Sequence, residues 1–240
     1  MHLLAFDATT PVMSLALQMP TGEVRMCEGG TNFEGGTHSL HLLPAIDKIL
    51  GQSALKVGDL SGIVVANGPG SFTGLRIALA TAKALAHPFL LPIYAVSTLR
   101  GLSFHGVGFK GYTLSILDAR RQQVYGALYH GETEVWPEAT YAVSDLIAEL
   151  PALLGPNGRV MLVGDGAVVH GKSIQQALGH GCVILPEPAL LNDARGVLWA
   201  HQLGHSKPYA YNTLIANYLR ISQAEREREA GVNHAAPKML

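Results

Sequence analysis

Short apolar runs bounded by turn residues alternate, along the first hundred positions, with stripes of helical period. Residues 3–7 (LLAFD) run apolar into an acid, residues 8–11 (ATTP) turn the chain, and residues 12–18 (VMSLALQ) resume as a second strand. Met19-Pro20-Thr21-Gly22 carries turn chemistry and residues 23–28 continue as a third strand, which predicts an antiparallel meander. Beyond a Gly-rich stretch (Gly29, Gly30, Gly35, Gly36), Leu42, Leu43, Ile46, Ile49 and Leu50 share one face of a helix that Pro44 either starts or kinks. Residues 62–66 (GIVVA) form a continuous apolar strand of the kind buried on both faces of a sheet. A Gly-rich turn then leads into a helix from Leu75 to about His87, and a strand follows near Ile93–Val96.

The second half repeats this opening more loosely. Residues 112–117 (YTLSIL) end in Asp118 as LLAF ended in Asp7, and strands are predicted at 123–129 and 133–136. Helices are predicted at 143–150, 173–178 and about 193–204, with a strand at 160–163. Two halves that each begin strand–Asp–turn–strand point to a duplicated, two-lobed α/β fold. The expected division is an N-terminal lobe over 1–100, a C-terminal lobe over 101–220 whose last helix returns to the N-lobe, and a charged tail over 221–240.

Composition narrows the classes. The 240 residues hold 17 Lys+Arg and 18 Asp+Glu, so charged residues make up 15% against roughly 25% in an ordinary soluble domain. A net charge of −1 argues against a protein that grips nucleic acid unaided, which needs a clustered basic surface. No apolar run reaches the ~18 residues of a membrane span. The opening has no basic segment of a signal peptide, and Cys27 and Cys182 form no CxxC, so both read as reduced thiols of a cytoplasmic protein. Residues 61–100 carry only Arg76, Lys83 and Arg100, and the helix over 42–50 only Asp47 and Lys48. Two weakly charged helices in one lobe suggest a helical protein interface. Its expected residues are Leu42, Ile46, Ile49, Leu75, Ala78, Leu79, Ala82, Lys83 and Ala86, with Ala78, Ala82 and Ala86 as a strip allowing close helix approach.

Several local patterns carry candidate chemistry. The loop Gly68–Gly74 has the spacing GxGxxxG, one residue too long for a dinucleotide fingerprint, and Leu75 stands where a P-loop has Lys. It is open to two readings: an anion cradle at a helix N-terminus, or a turn whose glycines allow close backbone approach. Asp7, Thr9 and Thr10 have the position and chemistry of the phosphate loop of actin-like and sugar-kinase ATPases. A plain turn with a capping Asp fits those residues as well. Asp118-Ala119-Arg120-Arg121 is the matching segment of the second half, where an Asp–Arg structural pair is expected. His201 and His205 are spaced i, i+4, but Gln202 stands where HExxH places its Glu, and His38 and His41 form another pair at i, i+3.

Taken as a set, LAFDATTPVMSLAL, His38 before LLPAIDKIL, GPGSFTGLRIALATAKALA, Val96-Ser97-Thr98-Leu99, Asp118-Ala119-Arg120-Arg121-Gln122-Gln123-Val124-Tyr125 and Tyr218-Leu219-Arg220 resemble the TsaB (YeaZ) family, collinearly from about residue 3 to 220. The resemblance implies an actin-like (ASKHA) fold of two RNase-H-like mixed sheets flanked by helices. It implies a cytoplasmic, non-catalytic role in N6-threonylcarbamoylation (t6A) of the adenosine beside the anticodon. The implied partners are a TsaD-like catalytic subunit held by the first two N-lobe helices, a TsaE-like ATPase, and tRNA only through the complex, with a homodimer when alone. No cofactor or metal is implied. By register with the catalytic paralogue, its metal-binding HxxxH falls near Ser97 and Gly101, neither of which could serve. Asp7 is kept, but Ala8-Thr9-Thr10 lacks the glycine of working actin-like ATPases, leaving Asp7, Thr9 and Thr10 as a vestigial phosphate loop. Asn217 stands where family members often carry Pro before Tyr-Leu-Arg. The competing reading is an enzyme, either a metal-dependent hydrolase of the M22 type or an actin-like ATPase.

Overall fold

The computed structural model describes residues 1–28, 38–186 and 191–220. The Gly-rich stretch at 29–36 and the tail at 221–240 lie outside them. The first half runs β1 (Leu3–Asp7), β2 (Ser14–Gln18), β3 (Val24–Glu28), α1 (His38–Gln52), β4 (Gly62–Ala66), α2 (Phe72–Ala86), β5 (Ile93–Val96) and α3 (Thr98–Leu102). The second runs β6 (Tyr112–Asp118), β7 (Gln123–His130), β8 (Thr133–Ala142), α4 (Val143–Leu154), β9 (Val160–Val163), α5 (Asp165–Leu178), β10 (Cys182–Ile184) and α6 (Ala194–Gln202). Strand order is β3-β2-β1-β4-β5 in one sheet and β8-β7-β6-β9-β10 in the other. In each, the first three strands are antiparallel and the last two run parallel to the first. The duplication read from the two Asp-terminated strands is therefore complete in element order. This is the two-lobed actin-like fold, built from two RNase-H-like mixed sheets.

Each half ends in a helix that packs on the sheet of the other. Leu99 and Leu102 of α3 join Leu117, Ala127 and Tyr129 of the second sheet. Ala194, Val197 and Leu198 of α6 join Leu3, Ala5, Ala16 and Val64 of the first. The two helices cross closely because a Cβ on Gly196 would collide with the Gly101 carbonyl. A short strand, β11 (Ser206–Tyr209), then pairs antiparallel with β5, and Leu214 is buried in the first-lobe core. Residues 194–214 thus sit on the first lobe, although a simple cut at residue 100 assigns them to the second.

The strands predicted at 3–7, 62–66, 93–96 and 160–163 are present with those bounds, and the differences from the sequence pattern lie mainly in where helices start and end. Helix α1 begins at His38, six residues before Pro44, which stands on its exposed side. Helix α2 begins at Phe72 because the Ser71 hydroxyl accepts the Gly74 N–H as its cap. Helix α5 starts at Asp165, well before the expected 173, since its first turns are small and buried (Gly166, Ala167, His170, Gly171) and show no helical stripe. Residues 211–220 are extended and turn-like. No helix among the described residues is long and apolar enough to cross a membrane.

Candidate functional site

The C-terminal ends of β1 and β6 bring the Asp7 and Asp118 turns to opposite sides of a cleft of about 430 Å³ between the lobes. Thr9, Thr10, His38, Gly70, Phe72, Asp118, Arg120, Tyr125 and Asp165 line it. A shallow depression of about 720 Å³ at the far end of the second lobe, around Pro151, Asn157, Arg159 and His180, brings together no acid–hydroxyl set. On the first-lobe side, Asp7 is 2% exposed. Its Oδ1 accepts the Thr9 N–H at 2.8 Å and the Thr9 hydroxyl at 2.6 Å. Burial pushes its carboxyl above the usual carboxylate range, while hydrogen bonds from Thr9 and Asn192 and the nearby His38 pull the other way. The Thr9 hydroxyl also accepts from Thr98 at 3.1 Å, and Thr10 is hydrogen-bonded through its hydroxyl to the Asn192 side-chain oxygen. The hydroxyls that face phosphates in a working actin-like site are here committed to the protein's own turn.

The Gly68–Gly74 loop closes the same side. The Ser71 N–H donates to the Thr9 carbonyl at 2.6 Å. A Cβ on Gly70 would collide with that carbonyl, and one on Gly74 with the carbonyl of Ala8. Of the two readings of this loop, close backbone approach is the one the geometry bears out: its glycines admit the Ala8–Thr9 turn, and Ser71 caps the helix that follows.

On the second-lobe side, Asp118 Oδ1 accepts the Arg120 N–H at 3.0 Å and lies 3.4 Å from His170 Nε2, while Arg120 Nε stands 3.7 Å from Oδ2. The expected Asp–Arg pair is therefore present. Asp165 accepts the Asp118 N–H at 3.0 Å, and burial raises its carboxyl above the usual range. No local pattern points to Asp165 in the cleft, or to His170 and Asn192 as the buried partners of Asp118 and Thr10, because their partners lie 47 to 182 positions away.

Ser97 and Gly101 have structural duties. The Ser97 hydroxyl accepts the Leu99 and Arg100 N–H groups as the cap of α3, and Gly101 forms the α3–α6 crossing. Beside them the Tyr129 hydroxyl donates to Glu138 at 3.3 Å and the Arg100 guanidinium lies 4.2 Å over the Tyr129 ring, a cluster that no motif announced. The His201–His205 pair is not on one helix face: α6 ends at Gln202, and Gly204 at φ +81° turns the chain away. His201 instead faces Ser206 at 2.8 Å and packs on Tyr94. His38 and His41 both fall on α1. Burial raises the Cys182 thiol to about 11, and the side chain of Cys27 lies outside those described.

The residues expected at a partner surface need correction. Leu42, Ile46, Ile49, Leu75, Ala78, Leu79, Ala82 and Ala86 all lie inside the first-lobe core, none more than 7% exposed, and Lys83 alone is half-exposed. The physical reason is that a stripe of helical period marks the face turned to the chain's own sheet. The open faces of the same helices carry Leu40, Leu43 and Pro44 on α1 and Phe72, Arg76, Ala80 and Ala84 on α2. Leu40 is 64%, Leu43 53% and Phe72 44% exposed.

Fold and cleft together define a two-lobed actin-like protein whose Asp7 turn packs against the Gly68–Gly74 loop at one wall of the cleft. The family model "TsaD: tRNA N6-adenosine threonylcarbamoyltransferase" matches residues 35–181. A Bacillus subtilis protein, tRNA threonylcarbamoyladenosine biosynthesis protein TsaB, is 33% identical over 227 residues, covering 94% of this chain and 96% of that one. The Escherichia coli protein of the same description is 34% identical over 197 residues, 78% of this chain and 82% of its own. The structure of YeaZ from Pseudomonas aeruginosa superposes with a TM-score of 0.72 at 24% identity, over 91% of this chain and 99% of that one, and shares its fold. The chain belongs to the TsaB (YeaZ) family, whose members take part in tRNA threonylcarbamoyladenosine biosynthesis.

Proposed function

We propose that the chain is a non-catalytic subunit in t6A formation. It binds a TsaD-like catalytic subunit through the exposed face of α1 and the later turns of α2 around Ala80 and Ala84, favours that subunit's active conformation, and engages tRNA within the complex. A TsaE-like ATPase joins the assembly, and the chain alone covers the same faces by forming a homodimer. The observation that supports this reading is the bonding of the Asp7 turn to the protein itself: Asp7, Thr9 and Thr10 take their partners from the chain, and Gly70 and Gly74 bring the α2 loop against the Ala8–Thr9 backbone. A site held this way offers no cradle for a transferring phosphoryl group, which needs free donors aimed at it. The faces left open on α1 and α2 are apolar with few charges, as a protein-binding surface requires.

The test uses the purified chain. Steady ATP turnover or stoichiometric bound metal would contradict the non-catalytic reading in favour of an ATPase or a metal-dependent hydrolase. The expected result is neither, together with co-purification of a TsaD-like subunit.

A further inference from the structure

We infer that Arg76, Arg120, Arg121 and Arg220, with the exposed rings of Phe72 and Tyr218, form a surface on the rim of the cleft that binds the sugar-phosphate backbone of tRNA. The inference rests on the proposed role in t6A formation and adds the part of this chain that meets the nucleic acid.

Three segments distant in sequence converge here. The hairpin turn after β6 holds Arg120, Arg121 and Gln122 at φ +66°, +55° and +58°, and the Arg120 side chain is 87% exposed. The terminal segment reaches the same turn, with Arg220 Nη1 donating to the Ala119 carbonyl at 3.0 Å. Two residues earlier Tyr218, 48% exposed, packs on Phe72 with ring centroids 5.7 Å apart. The Arg76 guanidinium lies 3.9 Å over the Phe72 ring, and its Nε donates to the Tyr218 hydroxyl at 3.4 Å. The segment is held in place by Asn217, whose N–H donates to the Asn67 carbonyl at 2.7 Å, and by Asn67 Nδ2 donating to the Ile215 carbonyl at 3.3 Å.

Residues 67–76, 119–125 and 210–220 contain these four arginines and no Asp or Glu. In a chain of net charge −1 that is a marked local concentration of positive charge. Among the described residues, the carboxylates that line the cleft are Asp118, 17% exposed and paired with Arg120 and His170, and the half-buried Asp165. They disfavour a polyphosphate inside the cavity, whereas the exposed side chains of Arg120 and Arg121 are open to an anion that passes along the rim. Arginine forks beside exposed aromatic rings are the chemistry of single-stranded RNA recognition, with phosphates on the cations and an unstacked base on a ring. Four cations are too few for tight binding alone, which fits a surface that acts once a partner supplies the remaining cations.

The experiment uses the chain assembled with its TsaD-like subunit and compares wild type, Arg120→Gln/Arg121→Gln, and Tyr218→Ala. Each is assayed for co-purification, for tRNA affinity over a range of salt, and for ATP binding. The double variant is expected to co-purify as wild type, to bind tRNA roughly tenfold more weakly, and to show a salt slope reduced by about 1 for each phosphate that is no longer neutralised. Tyr218→Ala is expected to weaken tRNA binding by at least about fivefold. Unchanged tRNA affinity and slope with intact co-purification would overturn the surface alone, as would loss of ATP binding without loss of tRNA. Loss of co-purification in the double variant would assign the arginines to a protein interface and overturn it too. A wild-type chain that does not co-purify would refute the underlying role, an outcome seen before any variant is compared.

Discussion

Gly74 has no room for a single methyl group, because the Ala8 carbonyl occupies the place where its Cβ would stand. Gly74→Ala is therefore expected to lower stability by about 1–3 kcal/mol in urea unfolding, as over-packing against immovable backbone does. Gly51, with open space around its Cβ position, is the control and should tolerate Ala. Asp7 offers a second test at this scale. Burial raises its folded carboxyl above the ordinary 3.8, so the folded state holds the proton more tightly than the unfolded chain. Its contribution is thus fully present at low pH and lost as pH climbs from 3.8 through the raised folded value. Asp7→Asn keeps an oxygen for the two Thr9 donors and is expected to flatten that part of the stability–pH profile; an unchanged slope would show that Asp7 is not held as described. Sequence spacing raises both readings of the Gly68–Gly74 loop but cannot choose between them, because the Ala8–Thr9 turn that decides it lies some sixty residues away. Asn192, bonded to Thr10 across 182 positions, has no local signal at all.

Helices α1 and α2 show what a periodic pattern can and cannot say. The apolar stripe locates both helices but does not mark a partner surface, because a stripe of that strength goes first to the chain's own core. Leu42 and Leu43 are adjacent in sequence, yet one is 1% and the other 53% exposed. Leu42→Ala should cost about 2–5 kcal/mol, and Leu43→Ala should stay within about 0.5 kcal/mol of wild type in the same denaturation assay. Equal effects would mean that α1 is rotated from the orientation described. The short element β10 is three residues long, and α3 and β11 are interrupted by Arg100 and by Lys207 and Pro208, so none shows the continuous apolar run that makes the comparably short β4, β5 and β9 legible. The exchange of α3 and α6 between lobes is likewise tertiary information, held by the Gly101–Gly196 crossing and not by either segment's own pattern.

At the scale of the molecule, the repeated strand order is legible because two Asp-terminated apolar strands each open a meander, and the sheets confirm that order element by element. The 15% charge content has a structural counterpart: both faces of the first sheet are covered by the chain's own helices, and the open sides of α1 and α2 carry few charges, Asp47, Lys48 and Arg76 among them. The proposed role as a non-catalytic subunit rests on these open helix faces. The most direct test is t6A formation in a reconstituted system containing this chain, its TsaD-like subunit and the ATPase, comparing wild type with Leu43→Arg and Ala80→Arg on the open helix faces. Both variants are expected to fold as wild type by circular dichroism and to lose co-purification and most modification together. Full modification by either folded variant would contradict the claim that these faces are where the protein works.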